Sequence, residues 1–163
     1  IIGEFDFIGH VTGIDNRDVG RLASKTTRMR QEISSPYMIC LQMALHRTLD
    51  YLNELGVDDR ISFVHEDNDF QAEAHRCFNW MKVLPEDAGR STSLMFAPKK
   101  EAVPLQAADI FAYEGNKRRN IGPERRAWRA LNPERSKVRL DHLEYNGIKC
   151  WMEELERQGL PVL

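Results

Sequence analysis

Cysteine is scarce in this chain, and what there is of it stands apart. Cys40, Cys77 and Cys150 are odd in number and form no Cys-x-x-Cys pair, which argues against a disulfide framework and against a thiolate zinc site. The histidines His10, His46, His65, His75 and His142 show no ligand spacing such as His-x-x-x-His, so a zinc site is not expected. No apolar run approaches the roughly 20 residues of a membrane-spanning helix, and no basic stretch followed by an apolar one opens the chain. The expectation is a soluble, cytoplasmic protein with no membrane partner. Also missing are a Gly-x-Ser-x-Gly elbow, a Gly-x-x-x-x-Gly-Lys loop and a Gly-x-Gly-x-x-Gly turn, so serine-hydrolase, nucleotide-binding and dinucleotide-binding readings have no support. The chain opens Ile1-Ile2-Gly3-Glu4 without an initiator Met, and it is expected to be a fragment.

What is there suffices for one globular domain spanning 1–163. Of its 163 residues, 42% are hydrophobic and 29% charged, enough apolar surface to form a core. The net charge of −2 conceals an asymmetry. Gly115 to Arg139 holds nine Lys or Arg against two acids, a local net of +7, so the remainder carries −9. Residues 115–163 are read as a basic helical extension packed on the domain. A basic segment beside an acidic body suits contact with a phosphate backbone, although a basic face is more often simply solvated.

Periodicity organises the rest. Phe7 to Thr12 reads as a strand, and Asp15 or Asn16 offers a cap for a short helix. Pro36 opens a helix in which Tyr37, Leu41, Leu45, Thr48, Leu49, Leu52 and Leu55 recur at helical spacing, and Gly56 stops it. Met38 and Met43 are expected to be packing residues. Ile61 to His65 is a buried strand that delivers Glu66, Asp67, Asn68 and Asp69, followed by a helix over Phe70 to Met81. Ser91 to Ala97 makes another strand, a helix starts near Pro104, and Gly147 to Gln158 is amphipathic, with Ile148, Trp151, Met152 and Leu155 on one face. Strand and helix alternate, which places the chain in the α/β class with parallel pairing in its second half.

Two acids carry the chemistry. On the helix at Pro104, Gln106, Asp109 and Tyr113 share a face, and the small Ala107 and Ala108 would let that helix approach a sheet and carry Asp109 into a confined place. Glu66, with Asp67 beside it, lies at the carboxyl end of a strand, where sites gather in open α/β sheets. Asp67, Asn68 or Asp69 can equally well cap the next helix, and Asp69 is read chiefly as a cap. Glu66, Asp67 and Asp109 are the expected ligands of Mg²⁺ or Mn²⁺, since carboxylates bind hard cations and a pair of such ions promotes phosphodiester cleavage. Two such acids fall short of a full two-metal site. Glu66 and Asp109 are the candidate catalytic residues; Gln106, Lys117, Arg118, Arg119, Arg125 and Arg126 are the candidate nucleic-acid contacts. His65, alternating with Glu66 along its strand, is read as a packed or surface histidine.

The run Phe63-Val64-His65-Glu66-Asp67-Asn68-Asp69-Phe70, followed some thirty residues later by Val103-Pro104-Leu105-Gln106-Ala107-Ala108-Asp109-Ile110-Phe111-Ala112-Tyr113-Glu114, resembles the domain-of-unknown-function 3800 family. The resemblance covers most of Phe7 to Arg119. It implies a ribonuclease H-like mixed sheet flanked by helices, with Glu66 at the fourth-strand metal position, where the family often has Asp, and Asp109 at the last-helix position. The family's first-strand Asp-Glu-Ser-Gly has no match. The Phe7 strand then becomes the third strand, the first two lie upstream of Ile1, and the strands at Phe7 and Ile61 do not touch. Either the upstream segment, or re-pairing of the strands, or a second copy in a homo-oligomer completes the sheet. The implied function is a metal-dependent nuclease-like domain; the alternative is a non-catalytic relative that binds nucleic acid or protein.

Overall fold

The computed structural model describes residues 9–25, 35–121 and 139–157. Strand β1, His10–Ile14, leads into helix α1, Asn16–Lys25. The expected strand at Phe7 therefore lies further along the chain, and residues 1–8 fall outside the described part. Asp15 caps α1: its Oδ1 accepts from the Arg17 amide at 2.8 Å, and its carbonyl accepts from the Asp18 amide at 2.9 Å. These contacts satisfy donors that have no partner inside the helix.

Helix α2, Pro36–Glu54, is the element on which the domain is built. Its start follows from Ser35, whose extended backbone leaves Oγ free to accept the Met38 amide at 3.2 Å, and from Pro36, which needs no donor in the first turn. Its stop is a left-handed turn at Gly56, φ +65°. There the Gly56 amide donates to the Asn53 carbonyl, and the Val57 amide donates to the Leu52 carbonyl, both at 3.0 Å. The buried set is Met38, Ile39, Gln42, Met43, Leu45, Leu49 and Tyr51. Both methionines are core, as expected. The apolar face read from spacing is rotated, because α2 packs against β1 on one side and against the third helix and the 85–87 turn on another. Leu55, assigned to the core by its spacing, is 44% exposed.

Strand β2, Ile61–Glu66, helix α3, Gln71–Met81, and strand β3, Ser91–Ala97, form a β-α-β unit, with a short 3-10 turn at Pro85–Asp87 before β3. β2 and β3 pair in parallel, from Ile61 opposite Ser91 to Glu66 opposite Ala97, with one irregularity between Ile61 and Ser62. α3 turns Ala74, Cys77, Phe78, Trp80 and Met81 inward. Helix α4, Val103–Ile121, follows β3 and packs against β1 and β2. Strand β4, Arg139–Leu143, and helix α5, Tyr145–Arg157, complete the described chain. Within α5, Ile148 and Met152 are buried, and Trp151 meets Trp80 edge to face with ring centres 6.4 Å apart.

The α/β class stands. The extension beyond residue 115 is not purely helical: it holds the strand β4. Among the described residues the strands make two parallel pairs, β2–β3 and β1–β4, and β1 is not hydrogen-bonded to β2. β1 is instead paired in register with β4, His10 opposite Arg139 through Ile14 opposite Leu143. This satisfies backbone groups that an isolated strand would leave open. Arg-Leu-Asp-His-Leu alternates too briefly within a basic segment to announce itself as a strand. The expected helix over Glu124 to Leu131 lies outside the described residues.

The turn that joins the β-α-β unit to α2 centres on two buried charged residues. Asp87, with no exposed surface, accepts from the Gly89 amide through Oδ2 and from the Ser91 amide through Oδ1, both at 3.1 Å. Ala88 and Gly89 take left-handed backbones, φ 47° and 77°, to close that loop. Arg90 extends its guanidinium to the carbonyls of Val57, Glu86 and Asp87 and to Oδ1 of Asn53, the last at 2.7 Å. Leu49→Ala and Ile148→Ala, each removing a side chain with no exposed surface, are expected to cost about 2–5 kcal/mol. Leu55→Ala is expected to stay within about 0.5 kcal/mol. Urea unfolding of the three variants checks both expectations, and a Leu55 effect equal to that of Leu49 would contradict the packing described.

Candidate functional site

Glu66 and Asp67 stand at the carboxyl end of β2, and Gln106 and Asp109 lie on the helix that follows β3. Glu66 closes β2 opposite Ala97, and the Asp67 amide donates to the Ala97 carbonyl at 3.0 Å. The ladder thus extends one residue past Glu66. β3 leaves through Pro98 and Lys99, and the Glu101 amide donates to the Pro98 carbonyl at 2.9 Å to turn the chain into α4. The Gln106 amide group reaches back to the carbonyls of Lys99 at 3.2 Å and Lys100 at 3.4 Å. One turn later, the Asp109 carboxylate forms an ion pair with the Lys99 ammonium.

Asp109 is not in a confined place. Its side chain is 46% exposed, and the residues α4 turns inward are Phe111, Glu114 and Gly115. Asp109 precedes Phe111 by two residues, so the two side chains leave the helix roughly 200° apart. Small alanines allow close approach, but the phase of Phe111 decides which face makes it. Glu114, 4% exposed, is the acid that α4 carries inward. Tyr113 is exposed, with the Lys117 ammonium 5.6 Å from its ring centre. Arg118 and Arg119 follow on the last turns of α4, whereas Arg125 and Arg126 lie outside the described residues.

The other acids after β2 have local work. Asp67 accepts from the Gln71 side chain, and Asn68 Oδ1 accepts from the Phe70 amide at 2.9 Å. Asp69 does not cap α3: Phe70 holds the cap position, and no side chain bonds there. The Asx turn at Asn68 has taken that place. His65 is packed, as expected. Its Nε2 meets the Tyr37 hydroxyl, its Nδ1 lies 2.6 Å from the Glu66 carbonyl, and its ring sits 5.4 Å from that of Phe96. Tyr37 in turn stacks on Phe70 at 4.4 Å. Burial, assisted by Cys77 and Glu73, pushes the Tyr37 hydroxyl up to about 12. Burial likewise pushes the Cys77 thiol up to about 12, so this cysteine is a core residue and no nucleophile.

A second cluster was not anticipated. Among the described residues, one group of three potential metal ligands stands within mutual reach, and it comprises His46, Asp50 and Glu86 rather than Glu66, Asp67 and Asp109. His46 Nε2 lies 3.8 Å from Asp50 Oδ1 and 3.9 Å from Glu86 Oε1. His46 and Asp50 are four residues apart on α2, which puts them on one face. That spacing was legible in the sequence; Glu86, arriving from the 85–87 turn, was not. The absence of paired histidines, which argues against a zinc site by spacing, does not exclude a set built from one imidazole and two carboxylates.

Among the described residues no helix is long and apolar enough to cross a membrane. No protein-family model, curated protein or solved structure matches the chain.

The buried thiol and phenol set a pH dependence. Both groups keep their protons to about pH 12 in the folded protein, against ordinary values of 9.0 for cysteine and 10.0 for tyrosine. The unfolded chain therefore releases these protons first, so their contribution is intact below about pH 9 and is lost as pH rises toward 12. The urea midpoint is expected to fall across that window, and to fall less in the double variant Cys77→Ala, Tyr37→Phe than in the parent. Parallel curves for the two proteins would contradict it.

Proposed function

We propose that this chain is a metal-dependent nuclease-like domain acting on nucleic-acid phosphodiesters, with its reactive edge at the carboxyl end of β2–β3. One observation carries the reading: Glu66 ends β2, while the turn leaving the adjacent β3 holds Asp109 through Lys99. Two acids remote in sequence are thereby tied to the same strand ends, where ligands bind in α/β folds. The resemblance of the two surrounding motifs to the domain-of-unknown-function 3800 family supports it further, as does the β2-α3-β3-α4 order, which that resemblance implies.

The donor types suit one hard cation. Mg²⁺ commonly takes one or two carboxylates and fills its remaining positions with water and substrate phosphate, and Glu66 and Asp109 are the two carboxylates here, with Asp67 adjacent. When bound, Mg²⁺ or Mn²⁺ supplies a polarised phosphoryl group and an activated water. The chain's own contribution is positioning. Gln106 braces the β3–α4 turn through the carbonyls of Lys99 and Lys100, and Lys99 must release Asp109 or share it with the cation. Lys117, Arg118 and Arg119, further along α4, with Arg125 and Arg126 beyond it, supply positive charge for the phosphate backbone.

The Lys99–Asp109 pair also favours a second reading, in which the acid fixes the turn and the domain binds nucleic acid or protein without cleaving. Labelled RNA and DNA, incubated with the protein and Mg²⁺ or Mn²⁺, separate the two. The nuclease reading expects metal-dependent cleavage that falls by about 10²-fold or more in Asp109→Asn and in Glu66→Gln. Equal cleavage by wild type and Asp109→Asn would sink the assignment. Salt-sensitive binding with no turnover, and lower stability in Asp109→Asn, would establish the non-catalytic reading instead.

A further inference from the structure

The geometry points to a transition-metal site at His46, Asp50 and Glu86, separate from the β2–β3 edge and suited to Zn²⁺. The set combines one imidazole nitrogen with two carboxylates, the chemistry that zinc accepts and that Mg²⁺ sites do not favour. Zinc ligands at about 2.0–2.2 Å in a tetrahedral arrangement lie about 3.4 Å from one another. The observed separations of 3.8 and 3.9 Å need only a small side-chain adjustment. Three protein ligands leave a fourth position for water or an anionic group, the composition of an open zinc site rather than a closed structural one.

Two further features support a bound cation over a simple ion pair. Glu86 Oε2 is buried and has no hydrogen-bond partner among the described residues, while its other oxygen faces His46. A carboxylate oxygen removed from water without a partner is costly, and a divalent ion within reach offsets that cost. Gln42 lies one turn before His46 on the same stripe of α2, fully buried, and neither atom of its amide has a partner among the described residues. Polar capacity thus extends from Asp50 through His46 into the core.

The ligands are held in advance. His46 and Asp50 stand on the central helix, and the backbone carbonyl of Glu86 is fixed by the Arg90 guanidinium at 2.9 Å and by the Asn53 side chain at 3.2 Å. Arg47 NH1, 3.4 Å from Asp50 Oδ2, engages the oxygen that does not face His46. His46 also lines a groove of about 360 Å³ between α2 and α5, together with Met43, Cys150 and Trp151.

Titration calorimetry of the full chain with Zn²⁺ tests the site. One zinc per chain is expected, with affinity falling by at least about 10–100-fold in His46→Gln and in Glu86→Gln, since loss even of an outer-shell partner costs that much. Asp109→Asn is expected to bind zinc as the parent does, which keeps this site distinct from the one proposed at the strand ends. Wild-type affinity retained in both site variants, or lost in Asp109→Asn, would overturn the inference. A measurement without substitutions guards against misfolding. Zinc should protect His46, and not the exposed His75, from diethyl pyrocarbonate in the wild-type chain, read by peptide mass mapping; an unprotected His46 would also overturn it.

Discussion

Arg90, 8% exposed, makes through its guanidinium the contact by which the parts of this domain are fixed to one another. A charged group that far from solvent is tolerated only when its donors are used, and here they are spent on carbonyl and amide oxygens from three different stretches. Asn53 belongs to the end of α2, Val57 to the segment leading into β2, and Glu86 and Asp87 to the turn before β3. The Arg90 carbonyl then accepts the Ile61 amide at 2.9 Å, which starts the β2–β3 ladder. One side chain and its own backbone thereby relate the central helix to the register of the parallel pair.

The same scaffold places both of the sites proposed above. The strand register determines where Glu66 ends, and the turn that follows Ala97 determines where Lys99 meets Asp109. At the other end of the same unit, the 85–87 turn brings Glu86 to the α2 stripe. A site on a core helix is more exact than one on loops, and α2 offers both a packed interior and a polar column reaching the surface.

Much of the fold could be read from the residues, because local rules act on single elements. Pro36 and Gly56 announced the ends of α2, Ser91 to Ala97 was found as read, and the amphipathic tail packs through Ile148 and Met152. What was not legible depends on contacts between elements. The inward face of α4 is set by Phe111, so Asp109 emerges half-exposed beside Lys99. Leu52 and Leu55 satisfy helical spacing, yet the helix ends before any element covers Leu55. Asp69 had the right type and place for a cap, but Asn68 forms the turn one residue earlier. The trio at His46 combines a readable i, i+4 pair with a partner some forty residues away, which no spacing rule connects. Of the two acids singled out first, Glu66 ends β2 and Asp109 stands on α4 beside Lys99, and their pairing as ligands rests on the chemistry proposed for them.

The β1–β4 ladder also bears on how the chain reaches its native state. His10 pairs with Arg139 and Ile14 with Leu143, so the first described strand waits for one separated from it by most of the polypeptide. The β2-α3-β3 unit needs only neighbouring segments and can form early, whereas parallel pairing across so long a loop is late and slow. During synthesis β1 therefore emerges long before its partner exists, and its open edge is exposed for that whole interval. Among the described strands, the kinetic vulnerability lies in β1, at the moment when the β2-α3-β3 unit is already built.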